Sequence, residues 1–222
     1  GKERIGQVIK EDLPHIACAV CERTVTEIFN AVEEARGKKS KHIIDELEIT
    51  EIIESVSNPK NELGEWMRRI DIVEILMKDK QYLNLIEPGG TGKCLNECAT
   101  IAKSCQNMIH EDVDVDELSA FIWKNKLPVD ELKTKVCTKL TRRCKPRRKE
   151  LSPTYHRIDE EFHPISEKDL EMERMMESMR EMGMGGSLYS RDDLGDMMGG
   201  VDEYDSDSDG SDTGLMNEDY EL

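Results

Sequence analysis

Four cysteines constrain this chain more than any other feature. Cys18 and Cys21 lie in a stretch where Val25, Ile28, Phe29 and Val32 recur at three and four, the spacing of a helical stripe. Cys137 and Cys144 lie seven apart in a second helical stretch. Residues three or seven apart on a helix share a face, so two such helices packed together can be joined by two bridges. Three chemistries compete for these thiols. Zinc would want two short-loop knuckles, whereas here the pairs lie within helices. A redox-active Cys-x-x-Cys would want a strand before it and a helix starting at it, and Lys2 to Asp12 shows no such strand. Structural disulfides gain most, because they would close loops longer than about 100 residues. They place the chain in an oxidising compartment.

Charge divides the chain. Residues 1–150 carry 26 Lys+Arg and 27 Asp+Glu, whereas residues 151–222 carry 5 and 21. All seven Cys fall between Cys18 and Cys144, and nine of the twelve Met fall between Met172 and Met216. A near-neutral domain long enough for a real core is thus followed by an acidic, Met-rich tail. That tail is too charged and too poor in branched and aromatic residues to offset its own ordering entropy. The net charge of −17 disfavours nucleic acid as a partner. No apolar run approaches the roughly 18 residues of a membrane span.

The first helix is expected to begin at Pro14, with Asp12 as its cap, and to end at Gly37. A second is expected from about Ile43 to Val56, with Ile43, Leu47, Ile52, Ile53 and Val56 apolar, before Asn58-Pro59 stops it. Between Glu65 and Glu87 the residues turn β-branched. Trp66 to Val73 and Tyr82 to Ile86 read as a β-hairpin around Lys78-Asp79-Lys80. Helices resume at about 95–109, 116–125 and 129–143. Residues 151–166, broken by Pro153 and Pro164, read as an extended linker. One helical island, 166–183, carries Met172, Met175, Met176, Met179 and Met182 on one face. That stripe is either a helix packing on the core or a pliable partner-binding face, since Met is unbranched and adapts to varied surfaces. Beyond Gly183 the composition is that of a disordered chain.

Two motifs fail on inspection. Gly89-Gly90-Thr91-Gly92-Lys93 lacks the first Gly and the closing Ser/Thr of a phosphate loop, those positions being Glu87 and Cys94. Asp205-x-Asp207-x-Asp209-Gly210 imitates a calcium loop but has Met216 where the bidentate Glu belongs. The five His form no ligand set and no catalytic constellation emerges, so no enzyme and no cofactor is expected. The basic run 142–149 resembles a nuclear localisation signal, which a disulfide-bonded domain argues against.

A resemblance now appears. Cys18-Ala-Val-Cys21-Glu22 on an acidic helix, the hairpin-like insert near 66–86, and Val136-Cys137 through Arg143-Cys144 resemble a saposin-type arrangement. More closely they resemble the canopy family, also called MIR-interacting saposin-like proteins. The resemblance covers residues 12–146. It implies a saposin-like domain with Cys18 paired to Cys144 and Cys21 to Cys137. It also implies a non-enzymatic adaptor or co-chaperone of the endoplasmic-reticulum lumen, assisting the maturation of cell-surface receptors beside an endoplasmic-reticulum chaperone. The family's third bridge joins the second helix to the third, yet the second helix here has no Cys. Cys94, Cys98 and Cys105 stand near one another instead. Cys98 and Cys105 lie about 10 Å apart along one helix, too far to bridge. Either Cys94 pairs with one of them or no third bridge forms, and an odd thiol remains. Family members often end in a retrieval tetrapeptide; of Asp219-Tyr220-Glu221-Leu222, only the final Glu-Leu matches that pattern.

The expectation is therefore a mainly α, saposin-like disulfide-linked bundle with a small β-hairpin over 12–146, and an acidic, largely disordered tail over 147–222. A chain ending at Arg148 is expected to melt within a few degrees of the full length. Two other functions compete with the adaptor: a saposin-like lipid binder, disfavoured by the high charge and the hairpin, and a thiol-disulfide oxidoreductase using Cys18 and Cys21.

Overall fold

The computed structural model describes residues 6–183. The Asp205–Gly210 motif, the terminal Asp219–Leu222 and the stretch read as disordered lie outside the described residues. Two units are distinguished, Gly1–Ser178 and Met179–Leu222, and the packing below is internal to the first.

Helix α1 (Leu13–Lys38) turns Ile16, Val20, Cys21, Thr24, Val25, Ile28 and Val32 inward at helical spacing. Packed against it are α2 (Glu46–Val56), α3 (Asn96–Asn107), α5 (Val129–Lys133) and the second strand of a hairpin. α3 runs on as a π-helical turn, Met108–Asp112, and α5 as a π-helical stretch, Thr134–Leu140. Between these two lies α4 (Val115–Asn125), capped by Asp114, which accepts a hydrogen bond from the Asp116 amide. The last helix of the described residues, α6 (Glu167–Glu181), follows a long irregular strap.

Three sequence expectations are corrected. Helix α2 starts at Glu46, because Asp45 caps it by accepting from the Glu48 amide at 2.8 Å. That phase buries Ile44 and Ile49 and leaves Ile43 and Leu47 exposed. Trp66 to Arg69 form no strand but close a 3-10 helix, Glu62–Arg69. Trp66, Met67 and Arg68 are buried in succession, which a half-exposed strand cannot do, and the Trp66 indole N–H donates to the Val56 carbonyl at 3.0 Å. The hairpin proper pairs β1 (Asp71–Met77) with β2 (Lys80–Ile86) around a two-residue turn. Lys78 and Asp79 both adopt positive φ there, which matches the twist of the flanking strands.

The third correction concerns residues 151–166, read from sequence as an extended linker outside the domain, which form a strap together with Arg148 just before them. This strap is extended but belongs to the first unit. The Leu151 amide donates to the Gln81 carbonyl at 2.8 Å, and Arg148 donates to the Leu83 carbonyl, so the strap covers the outer edge of β2. Further on, Glu160 caps α3 by accepting from the Asn96 and Glu97 amides. Lys93 donates to the His163 carbonyl and Ile165 to that of Thr91, both at 2.9 Å. Gly92 sits between Arg68 and Phe162, where a Cβ would meet the Phe162 ring.

At the centre of the strap is Arg157, its side chain 1% exposed. Its Nε donates to Asp12 at 2.9 Å and its Nη2 to Glu97. Asp12, expected to cap α1, makes no side-chain cap bond. It is fully buried and also accepts from the Tyr155 hydroxyl at 2.8 Å. Burial and hydrogen bonding to Asp12 push the Tyr155 hydroxyl well above its ordinary value. One guanidinium faces two buried carboxylates and neutralises only one of them. Burial therefore pushes Glu97 up to about 7, a rise that Asp71 adds to and that the Ile72 amide and Arg157 oppose.

Two outcomes follow. Replacing Arg157 by Ala, or ending the chain at Arg148, strands Asp12 and Glu97 without a cation and should cost about 3–5 kcal/mol in denaturant unfolding. This replaces the expectation of a near-neutral truncation. The folded state also holds the Glu97 proton more tightly than the unfolded chain. The stability this gives is complete below the ordinary value of 4.5 and is lost as pH rises through about 7. Glu97→Gln should flatten the melting temperature between those two pH values, and an unchanged slope would sink the assignment.

Candidate functional site

Cys18 and Cys21 stand on one face of α1 because they are three apart on a helix. They are not bonded to each other. Cys18 bridges Cys144 with Cα atoms 4.5 Å apart, and Cys21 bridges Cys137 with Cα atoms 5.8 Å apart. The α5 continuation and the turn after it are thereby tied to the N-terminal half of α1. Cys21 and Cys137 are buried, out of reach of an attacking thiolate. Cys18 and Cys144 are half-buried beside Glu22, and the three ligand atoms lie within 4.8 Å of one another. Both sulfurs there are committed to the disulfide, which leaves one carboxylate and no metal-binding set.

The third bridge joins Cys94 to Cys98 across the start of α3, with Cα atoms 5.0 Å apart. Cys105 is the odd thiol and is buried, accepting a hydrogen bond from the Thr24 hydroxyl at 3.3 Å. Burial pushes its thiol up to about 11, against the pull of that hydroxyl and of Arg143. Three bridges mark a chain from an oxidising compartment.

The Met helix is built the opposite way from an ordinary surface helix. Its start is capped by Ser166, whose hydroxyl accepts from the Asp169 amide and donates to the Asp169 carboxylate. Toward the domain it turns charges. Glu173 pairs with buried Arg68 at 2.7 Å, Arg174 with Glu65 at 2.5 Å, and Glu177 with Lys60 at 2.8 Å. Leu170 is its one buried apolar side chain among the described residues. Because the charges face inward, Met172, Met175 and Met176 face outward, exposed by 49%, 61% and 41%. Met179 and Met182, beyond the unit boundary, are exposed as well. The Met stripe is thus a surface rather than core.

The residues that orient this helix were not foreseen from the sequence. Arg68, Arg174, Glu65 and Lys60 are individually ordinary surface residue types. The available signal was Ser166-x-x-Asp169 before a Met run, a start signal for the helix but silent on which face is covered. A separate shallow cleft lies between α1, α4 and α5, lined by Phe29, Val32, Ile122, Leu127 and Leu132.

No family model, no curated protein and no solved structure matches this chain.

The bridges differ in what they constrain. Cys94–Cys98 spans 4 residues of sequence and Cys21–Cys137 spans 116. Removing the short bridge should cost about 2 kcal/mol and the long one about 5 kcal/mol in the loop-entropy account. Equal costs would show that native packing rather than loop closure dominates. Without reductant, iodoacetamide should label no thiol in the native protein and Cys105 alone in denaturant.

Proposed function

We propose that this chain is a saposin-like, canopy-type folding adaptor of the endoplasmic-reticulum lumen, non-enzymatic, that holds secreted or cell-surface receptor proteins during maturation beside an endoplasmic-reticulum chaperone. The observation that carries the proposal is the outward Met face of α6. A folding client presents varied apolar surface, and unbranched, polarizable Met side chains adapt to varied surface better than branched ones. Exposed apolar side chains gathered on one helix face are unusual for a surface with no partner. Helix α6 can offer them without unfolding anything, because its anchorage runs through ion pairs on the other side.

The rest of the molecule agrees with this reading. Three disulfides give a frame suited to an oxidising lumen. Two of them join the Cys-x-x-Cys helix to the closing segment, the connectivity that the resemblance to the canopy family implies. Cys18 and Cys21, each bonded to a distant partner, favour a structural role over a thiol-exchange one.

The test is the triple substitution of Met172, Met175 and Met176 by Ser, which removes apolar surface and leaves charge unchanged. Association with clients or chaperone, measured by cross-linking in a lumenal extract, should fall at least tenfold while the melting point moves by less than about 4 °C. Should association persist undiminished, the Met face is not where partners bind and the adaptor reading loses its support.

A further inference from the structure

Residues 133–149 contain nine Lys and Arg and no Asp or Glu, in a chain whose net charge is −17. The structure divides these cations into two groups. Three are fasteners. Lys133 pairs with Asp130. Arg143 pairs with Asp112 and donates to the Ser104 carbonyl and hydroxyl at 3.0 and 3.1 Å. Arg148 donates to the Leu83 carbonyl and to Asn84, and its guanidinium lies 5.5 Å over the Tyr82 ring. The other six, Lys135, Lys139, Arg142, Lys145, Arg147 and Lys149, are exposed and have no ion pair among the described residues.

The fasteners matter because of where they fall. Between Thr141 and Glu150 the backbone is neither helix nor strand, yet it is held at Arg143, at the Cys144 bridge to Cys18, at Arg148 and, just beyond, at Leu151. Arg142, Lys145, Arg147 and Lys149 project to solvent between those points. Their span is at most about 25 Å of extended chain. A row of cations on a tethered backbone binds a linear polyanion at little ordering cost.

We propose that this strip is a docking surface for a linear sulfated polysaccharide. A protein partner would seek aromatic or large aliphatic anchors, and within the strip Leu140 is the one large apolar side chain that is exposed, with Pro146 the one small one. A single-stranded nucleic acid would seek open aromatic faces, and Tyr82, the ring beside the strip, is covered by Arg148. A sulfated polysaccharide needs only cations in a row, and oxidising compartments of the secretory route are where such chains are made and met. The proposal requires that compartment but not the adaptor reading, and the Met face takes no part in it.

The test uses the full chain and a heparin oligosaccharide, with affinity measured between about 50 and 200 mM salt. Saturable binding should weaken along a straight line in log salt. Converting Arg142, Lys145, Arg147 and Lys149 to Gln should weaken it at least tenfold and flatten the slope by roughly one for each cation that had engaged a sulfate. Lys135→Gln with Lys139→Gln, on exposed helix positions that fasten nothing, gives the same direction should the quadruple variant fold poorly. Neutralising Lys38, Lys41, Lys103 and Lys124 instead should leave the affinity within twofold. The proposal fails if the oligosaccharide does not bind, if both sets of four weaken it alike, or if desulfated heparin, polyglutamate or a DNA oligonucleotide of equal charge binds as tightly.

Discussion

Arg157 is the charge on which the arrangement of this molecule turns. Two carboxylates, Asp12 at the start of α1 and Glu97 in the first turn of α3, are buried where water cannot solvate them. Alone, either would resist burial by several kcal/mol. Their shared cation arrives from a segment sixty residues beyond Glu97, and its arrival stitches three separate parts of the chain together. The strap carrying it then covers the edge of β2, caps α3 through Glu160, and delivers α6 to the 3-10 helix. Without that buried guanidinium the strap keeps its backbone bonds, the side-chain bonds of Arg148, Tyr155 and Glu160 and one buried leucine, Leu151, but Asp12 and Glu97 are left without their cation.

The disulfides act on a different part of the problem. They tie the N-terminal half of α1 to the closing segment, and so restrict the unfolded chain across more than half its length. They do not hold the strap or α6, which lie beyond Cys144. Covalent and electrostatic fastening therefore divide the first unit between them. The covalent part serves the helical core; the electrostatic part serves the segment that presents the Met face. Glu97, pushed up to about 7 by burial, makes the second kind of fastening sensitive to pH between the ordinary carboxylate value and neutrality.

Two surfaces of opposite character result. On α6, ion pairs are spent inward and apolar side chains are left outward, the inverse of the usual division on a surface helix. On the strip after α5, Arg143 and Arg148 are spent inward and the other cations are left outward. In both, a minority of charged side chains fasten the backbone so that the remainder stand ready.

Much of the core was legible in the sequence, because it depends on local periodicity. Apolar residues at three and four placed α1, helices were expected over the stretches where α3, α4 and α5 lie, and β-branched residues placed the hairpin. The cysteine spacing by itself put Cys18 and Cys21 on one helix face, whereas Cys144, expected on the last helix with Cys137, lies in the turn after it. What sequence could not supply was anything resting on a non-local partner. Asp12 looks like a cap and is an ion-pair acceptor instead, because Arg157 lies 145 residues away. Trp66 and Arg69 look like strand residues because adjacent burial on a 3-10 helix and partial alternation on a strand share a composition. Ile43 and Ile44 are equivalent until Asp45 sets the phase of α2. The Met stripe was visible as a stripe, but whether it faced core or solvent depended on Arg68, Glu65 and Lys60, three side chains from outside the helix. Local pattern determines which residues share a face. Which way that face points is decided by where buried charge finds its partner, and only the tertiary structure brings the partner there.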